Sequence, residues 1–468
     1  GKPKFYASFE GGSYDTYRET MGVGGSTKAT NYSFSASRID SAGFPWAPGG
    51  RLDNGYGNTT LSGRFGFRIF EKSKLGFVLR YNDSKTHQDD WNWLTAREED
   101  DPNSTQKVKK FVFKTQFSQP LNAWWEQHLS LSFMSNDRDY RNPPDVLHPT
   151  APNVVSWFDG VRKKVDWRHN FFLGKFNTLT AGFEYDEETA KTYYRSGSWI
   201  SKLPEKKIDN RGYYFQDELQ FGKRLFVTAG VRTDNRSSFG SDTTYKLSSA
   251  YLIKETGTKL KANWGTGFKA PSIYQLYSSY GNLNLKPEES ESYDLGFEQR
   301  FLSDKVSLGT TYFHNSFKNL IDYDYSTSKY KNVGRARTEG IETTASLKWR
   351  DNLSMALNYT FMGTENEITN KELGRRPKHK GSLIFNYQPA ERVKVNLVFN
   401  YVGTRWDDSA NTREIAAYTT VNLAGSYQLN PNVEFFGRIE NLFDKSYEEV
   451  KGYATAGLSL YTGVKVNF

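Results

Sequence analysis

Residues 458–468 read L-S-L-Y-T-G-V-K-V-N-F. Every second position (Leu458, Leu460, Thr462, Val464, Val466 and Phe468) is apolar or carries a methyl group. Ser459, Gly463, Lys465 and Asn467, which lie between them, are small or polar. A period of two specifies a β-strand with one apolar and one wet face. About ten such residues, tilted, cross the core of a bilayer. The pattern recurs upstream. Leu61, Gly63, Phe65, Phe67 and Ile69 alternate with Ser62, Arg64, Gly66 and Arg68, and Leu75, Phe77, Leu79 and Tyr81 with Gly76, Val78, Arg80 and Asn82. Val393, Val395, Leu397, Phe399 and Tyr401 alternate with Lys394, Asn396, Val398 and Asn400. Arginines turned into a dry core are costly, whereas arginines lining a watery lumen cost little. The alternation therefore predicts an all-β fold, a transmembrane antiparallel β-barrel.

Composition agrees. The chain is polar, with a mean hydropathy of −0.73, yet 16% of it is aromatic. A disordered chain of that polarity is poor in aromatics, and a helical membrane protein needs long apolar runs that this sequence lacks. Barrels reconcile the two facts, because only alternate residues meet lipid and aromatic girdles mark both interfaces. With no cysteine in the chain, disulfides, thiolate metal sites and cysteine nucleophiles are excluded. The net charge of +9 is scattered singly among acids, which argues against nucleic acid and for a basic lumen or rim that attracts anions. The chain opens Gly-Lys-Pro-Lys without an apolar secretory segment.

The connections are expected to alternate in length. Short turns are predicted at 71–73, 176–177, 222–223, 257–258, 302–304, 350–352, 389–391 and 430–432. Longer links are predicted around 41–56, 88–103, 138–157, 194–207, 269–288, 317–335, 365–377, 404–414 and 443–456. Short turns at one end and long loops at the other give roughly 22 strands in a single barrel domain spanning 1–468, a size that belongs with plugged transporters.

Four stretches carry a family resemblance. Gly267-Phe268-Lys269-Ala270-Pro271-Ser272, with Leu276-Tyr277, precedes Gly281-Asn282-Leu283-Asn284-Leu285-Lys286-Pro287-Glu288. Asn332, Gly334, Ala336, Gly340 and Glu342 form N-x-G-x-A-x-x-x-G-x-E, and Arg376-Pro377 is followed by His379 and Gly381-Ser382-Leu383. Glu440-Asn441-Leu442-Phe443-Asp444-Lys445-x-Tyr447 leads into the last strand. In this order the four resemble the barrel of TonB-dependent outer-membrane receptors, most nearly the cobalamin and siderophore receptors. The resemblance covers the barrel alone. Neither the family's TonB-docking box nor its plug is present in this chain, whose first residues look like the point where a plug hands over to the first strand. It implies an integral outer-membrane protein surrounded by lipid and lipopolysaccharide. It also implies a terminal Phe468 read by the barrel-assembly machinery, and a plug driven by TonB that admits a scarce metal chelate or corrinoid. A barrel without a plug, filled by a separate protein and serving as scaffold or conduit, is the alternative. A passive porin fits less well, since porins have fewer strands.

Candidate ligand contacts are the aromatic residues of the links: Trp91, Trp93, Trp157, Tyr274, Tyr277, Tyr280, Tyr323, Tyr325, Tyr330 and Trp406. Rigid amphipathic rings suit a flat polar chelate, although some of these can belong to the interfacial girdle instead. Asp89, Asp90, Glu98, Glu99, Asp100 and Asp101 form an acidic loop that could hold calcium or simply be solvated; the D-x-D-x-D-G spacing is missing. The six histidines show no i,i+4 pair, and no nucleophile elbow, phosphate loop or H-E-x-x-H motif occurs. No catalytic role is expected.

Overall fold

The computed structural model describes every residue except Glu71 and the stretch 93–96. Among the described residues, 22 strands form one antiparallel sheet that closes on itself. The first strand, Lys4–Gly12, pairs on one side with Thr16–Ser26 and on the other with the last strand, Ser459–Asn467. The register runs from Tyr6↔Asn467 to Gly12↔Tyr461. Below it, Phe5 N–H donates to Phe468 O at 3.2 Å and Phe468 N–H to Phe5 O at 2.8 Å. Closure leaves no open edge, which is what a backbone in hydrocarbon requires. On the lumenal face the seam is clasped by Arg438, which pairs with the buried Glu10 and lies 4.0 Å over the Tyr461 ring.

The alternation read from sequence sorts the two faces. Phe5, Phe9, Leu61, Phe65, Phe67, Leu79 and Phe113 are exposed on the outer surface. There Phe34, Phe65, Phe67, Phe77 and Phe113 form a run of ring contacts, the tightest 4.6 Å between Phe34 and Phe65. Such a surface is a liability in water and a requirement in lipid. Trp124, Trp125 and Phe171 stack at the end where the first strand starts, an interfacial girdle.

Seven of the expected short turns fall at that same end, and two more, at 27–29 and 121–124, join them; the turn expected at 71–73 includes Glu71, outside the described residues. The other end departs from the expectation. Links 194–207 and 317–335 are not loops. They are the tops of tall hairpins that turn at 197–198 and 325–328. Pro204 suggests a break, yet it falls in a bulge where Ala190 pairs with Lys206 and Thr192 with Leu203. In that bulge its missing N–H costs no ladder bond. Gly197, at φ +58°, supplies the tight turn. Tight turns at 13–15 and 237–239 also lie at this end, so only seven of its described connections are long.

Candidate functional site

The tall hairpin Asn177–Ser196 and Trp199–Phe221 anchors the loop that follows Thr258–Lys269. That loop begins Pro271-Ser272 and forms the short helix Ile273–Tyr277. Ser272 accepts from the Gln275 N–H at 3.2 Å, and the Gln275 side chain accepts from the Ser272 N–H at 2.9 Å, a capping box that fixes the entry angle. Ile273, Leu276 and Leu285 then bury against Ala190, Leu203 and Ile208 of the hairpin. Burying these aliphatic side chains, at about 1.5–3 kcal/mol each, holds the loop over the lumen.

This docking gathers tyrosines distant in sequence. Ring centroids lie 6.3 Å apart for Tyr274–Tyr330, 5.7 Å for Tyr280–Tyr323, 5.0 Å for Tyr323–Tyr325 and 5.6 Å for Tyr323–Tyr330, all edge to face. Tyr330 N–H donates to Tyr280 O at 3.0 Å, tying the loop to the neighbouring hairpin. Burial raises the Tyr274 phenol above its usual pKa, so it stays a neutral donor. Beside the cluster is a cavity of ≈ 540 Å³ bordered by Arg138, Phe158, Tyr194, Trp199, Tyr274 and Tyr280. Among the described residues no carboxylate pairs with Arg138. Aromatic faces, phenol hydroxyls and one uncompensated guanidinium suit a flat, anionic, aromatic ligand.

Of the residues expected to bind, Tyr274, Tyr280, Tyr323, Tyr325 and Tyr330 meet here. Tyr277 does not. It packs on the buried hairpin cluster with Lys206 5.3 Å over its ring. Trp157 borders the cavity, but its ring stacks on Tyr193 at 5.8 Å beneath Lys191. Trp406 sits in a two-residue ladder, Arg405–Trp406 with Glu414–Ile415, and its carbonyl accepts from the Arg375 N–H. Trp91 stacks on Tyr453 at 6.0 Å. Trp93 lies outside the described residues. Arg138, Tyr194 and Trp199 lie inside the links expected at 138–157 and 194–207 but were not marked as contacts; the structure places them on strands that rise to the cavity.

The acidic residues of loop 88–104 spread out instead of converging. Asp89 accepts from Ala47 N–H and Asn54 Nδ2, and Asp100 from the N–H groups of Arg51 and Leu52. Asp101 accepts from Asn103 and Ser104 N–H, Glu99 from Asn92 Nδ2 at 2.7 Å, and Asp90 from Trp91 N–H. Glu98 bonds to the Tyr453 hydroxyl. Among the described residues, only Asp101 of these acids joins a group of ligand type, with Asp145 and His148. Burial raises the carboxyls of Asp89 and Glu98. A raised folded-state pKa means the closed loop holds a proton that the open loop releases. That stabilisation is complete below the ordinary carboxylate range and is lost as pH rises through the raised values. Hydrogen exchange in the described residues of loop 88–104, corrected for intrinsic chemistry, is expected to show greater protection at pH 4, within the ordinary carboxylate range, than at pH 7. Equal protection contradicts the linkage.

A second charged array lines the lumen below the cavity. Arg162 forks onto Asp186, with Nε 2.8 Å from Oδ1, and Lys164 reaches Glu184 at 2.7 Å. Arg232 bridges Glu184 at 3.1 Å and Asp234 at 2.6 Å, and Arg236 reaches Glu188 at 2.9 Å. Glu184, Asp186 and Asp234 are buried. The signal was present in sequence as Glu184-x-Asp186-x-Glu188 and Arg232-x-Asp234-x-Arg236, charges at every second residue and hence on one face.

Residues 5–442 match the family described as TonB dependent receptor-like, beta-barrel. The chain belongs to the TonB-dependent receptor family. Receptors of this family are integral outer-membrane proteins, so the long loops are extracellular and the short turns periplasmic. Solved structures share the fold at low identity. The copper transporter OprC superposes with a TM-score of 0.83 at 13% identity, covering 100% of this chain and 82% of OprC. The siderophore receptor PirA from Acinetobacter baumannii gives 0.81 at 17%, covering 100% and 81%. The Pseudomonas aeruginosa ferric enterobactin receptor PfeA (a Q482A mutant in complex with enterobactin) gives 0.81 at 18%, covering 100% and 82%.

Proposed function

We propose that this TonB-dependent receptor imports a ferric siderophore of anionic, aromatic character, with a plug and TonB supplying the coupling. The tyrosine cluster beside the Arg138-bordered cavity carries the reading. A corrinoid is the weaker reading, because the cavity combines stacked phenols with a free cation, whereas neutral corrinoids gain nothing from the charge. The uptake of radiolabelled iron tests it, in cells lacking other receptors and supplied with a panel of ferric catecholates and hydroxamates and with cobalamin. Tyr323, which touches three other rings, is expected to matter most. Tyr323→Ala should weaken binding of the imported chelate by roughly tenfold or more, the scale of a buried aromatic anchor. Tyr325→Ala, 87% exposed at the rim, should do little. Cobalamin import, or iron uptake unaffected by Tyr323→Ala, overturns the reading. The scaffold alternative has its own test: the intact mass of the protein from native membranes. A mass well above 53.7 kDa, with a folded N-terminal extension, supports the plugged receptor. A mass near that value supports a barrel filled by a separate partner.

As a proposal, Asp101, alone of the six acids expected to hold calcium, stands with Asp145 and His148 in a separate cation site. Oxygen-loving calcium fits an imidazole poorly, and this set better suits a transition metal.

A further inference from the structure

The lumenal wall is electrically lopsided. From Thr30–Ser41 through Trp125–Asn142, the residues that alternate with the lipid-facing rings point into the lumen. On that face stand Arg64, Arg68, Lys74, Arg80, Lys110, Lys114 and Arg138. The only carboxylate among the described residues there is Glu126, which sits 3.3 Å from His128. None of the seven cations has an ion pair among the described residues. Across the lumen the Arg232 array is neutralised by its own acids, so this is not a general property of the wall.

Register places four of the seven around one spot. Gly66 pairs with Gly76, which in turn pairs with Gln116, and Gly66 also faces Asn31. Arg64 and Arg68 flank Gly66 along its strand, Lys74 lies beside Arg68, and Lys114 lies beside Val78. The Asn31 side chain lies over Gly66, whereas Gly76 is open, and beside them is a hollow of ≈ 630 Å³ bordered by Lys28, Arg64, Arg68, Lys74 and Lys114, near the periplasmic end. Arg80 and Lys110 stand above it on the same strands, and Arg138, at the top, borders the mouth cavity.

We propose that this cation-ringed hollow is an anion seat. It takes the anionic ferric chelate on its way from the mouth to the periplasm, stepping down Arg138, Lys110 and Arg80. The inference rests on the proposed import of an anionic cargo. Like-charged side chains held together without acids raise the local concentration of anions and are poorly disposed toward anything neutral. Their long stems let the cations follow a moving ligand at little cost.

The test is the ion preference of the 468-residue chain in planar bilayers under a KCl gradient. The wild-type barrel should favour chloride over potassium by about fivefold near 0.1 M salt and lose that preference near 1 M, where the Debye length falls to about 3 Å. Inorganic tripolyphosphate added on the periplasmic side should reduce the current. The triple variant Arg64→Gln, Lys74→Gln and Lys114→Gln should lose both effects. The charge-keeping variant Arg64→Lys, Lys74→Arg and Lys114→Arg should retain them, which separates charge from misfolding. A wild-type barrel without anion preference, or a triple glutamine variant that keeps it, overturns the seat. So does a wild-type lumen that stays closed and opens only in the triple glutamine variant with release of an acidic polypeptide, since the cations would then dock a lumen filler. Because the readout is conductance, its failure is separable from failure of the Tyr323 uptake experiment.

Discussion

Arg232→Ala is expected to destabilise the folded barrel by about 3 kcal/mol, the low end of the cost of removing one partner from a buried ion pair. Its guanidinium donates to Asp234 at 2.6 and 2.7 Å and to Glu184 at 3.1 Å. The Asp234 side chain is 4% exposed and that of Glu184 11%, so neither carboxylate can recover much hydration once the guanidinium is gone. The low end applies because Lys164 still holds Glu184 at 2.7 Å and Asn210 still donates to Asp234 at 2.7 Å. Removing Asp234 as well should restore part of the loss, since the penalty lies in the stranded charge. Arg224 and Glu255, paired at 2.5 Å across a periplasmic turn, provide the contrast. Both are well exposed, and Arg224→Ala should leave the midpoint close to that of the wild type. Urea midpoints of the refolded barrel in detergent measure both variants. Equal midpoints for Arg232→Ala and wild type would show that the array is solvated and carries no stability.

Deleting Phe468 should lower the amount of folded receptor in the outer membrane by tenfold or more. That size reflects both the closing ladder and each backbone group left unpaired against lipid, worth several kcal/mol. The residue is 71% exposed on the lipid side and exchanges two backbone bonds with Phe5 beneath the last register pair. Phe468→Leu keeps both bonds and an apolar side chain, so it isolates the ring. If the leucine variant assembles normally and the deletion does not, closure is the cause. If both fail alike, the ring itself is being read by the assembly machinery. A deletion variant present at the wild-type level, as judged by heat-modifiable mobility of outer-membrane fractions, contradicts either role.

The sequence by itself determined the class of fold, the approximate strand number, the lower turns and the orientation of each strand's faces. These follow from local rules: a period of two cannot be satisfied by any other element, and arginines on the polar side exclude a dry core. Phe468 and the lumenal positions of Arg64, Arg68, Arg80, Lys394 and Lys465 were legible for the same reason. The heights of the upper hairpins were not. Pro204 and Gly197 read locally as breakers, and only cross-strand pairing shows that one occupies a bulge and the other a two-residue turn. The tyrosine cluster was half legible. Aromatic density in two links pointed to Tyr274, Tyr280, Tyr323, Tyr325 and Tyr330. Their convergence depends on the helix Ile273–Tyr277 docking on the hairpin, a contact between segments about 65–86 residues apart in sequence. The same docking turns Tyr277 away, and strand pairing sets Trp157 against Tyr193. The charged arrays were legible in sequence only as far as the face each charge occupies. Alternation states which face a charge occupies, but whether an acid on the next strand lies opposite depends on register. Asp234, two residues along the same strand, was open to sequence reading, but register brought Glu184 to Arg232 from another strand and left Arg64, Lys74 and Lys114, among the described residues, with no acid.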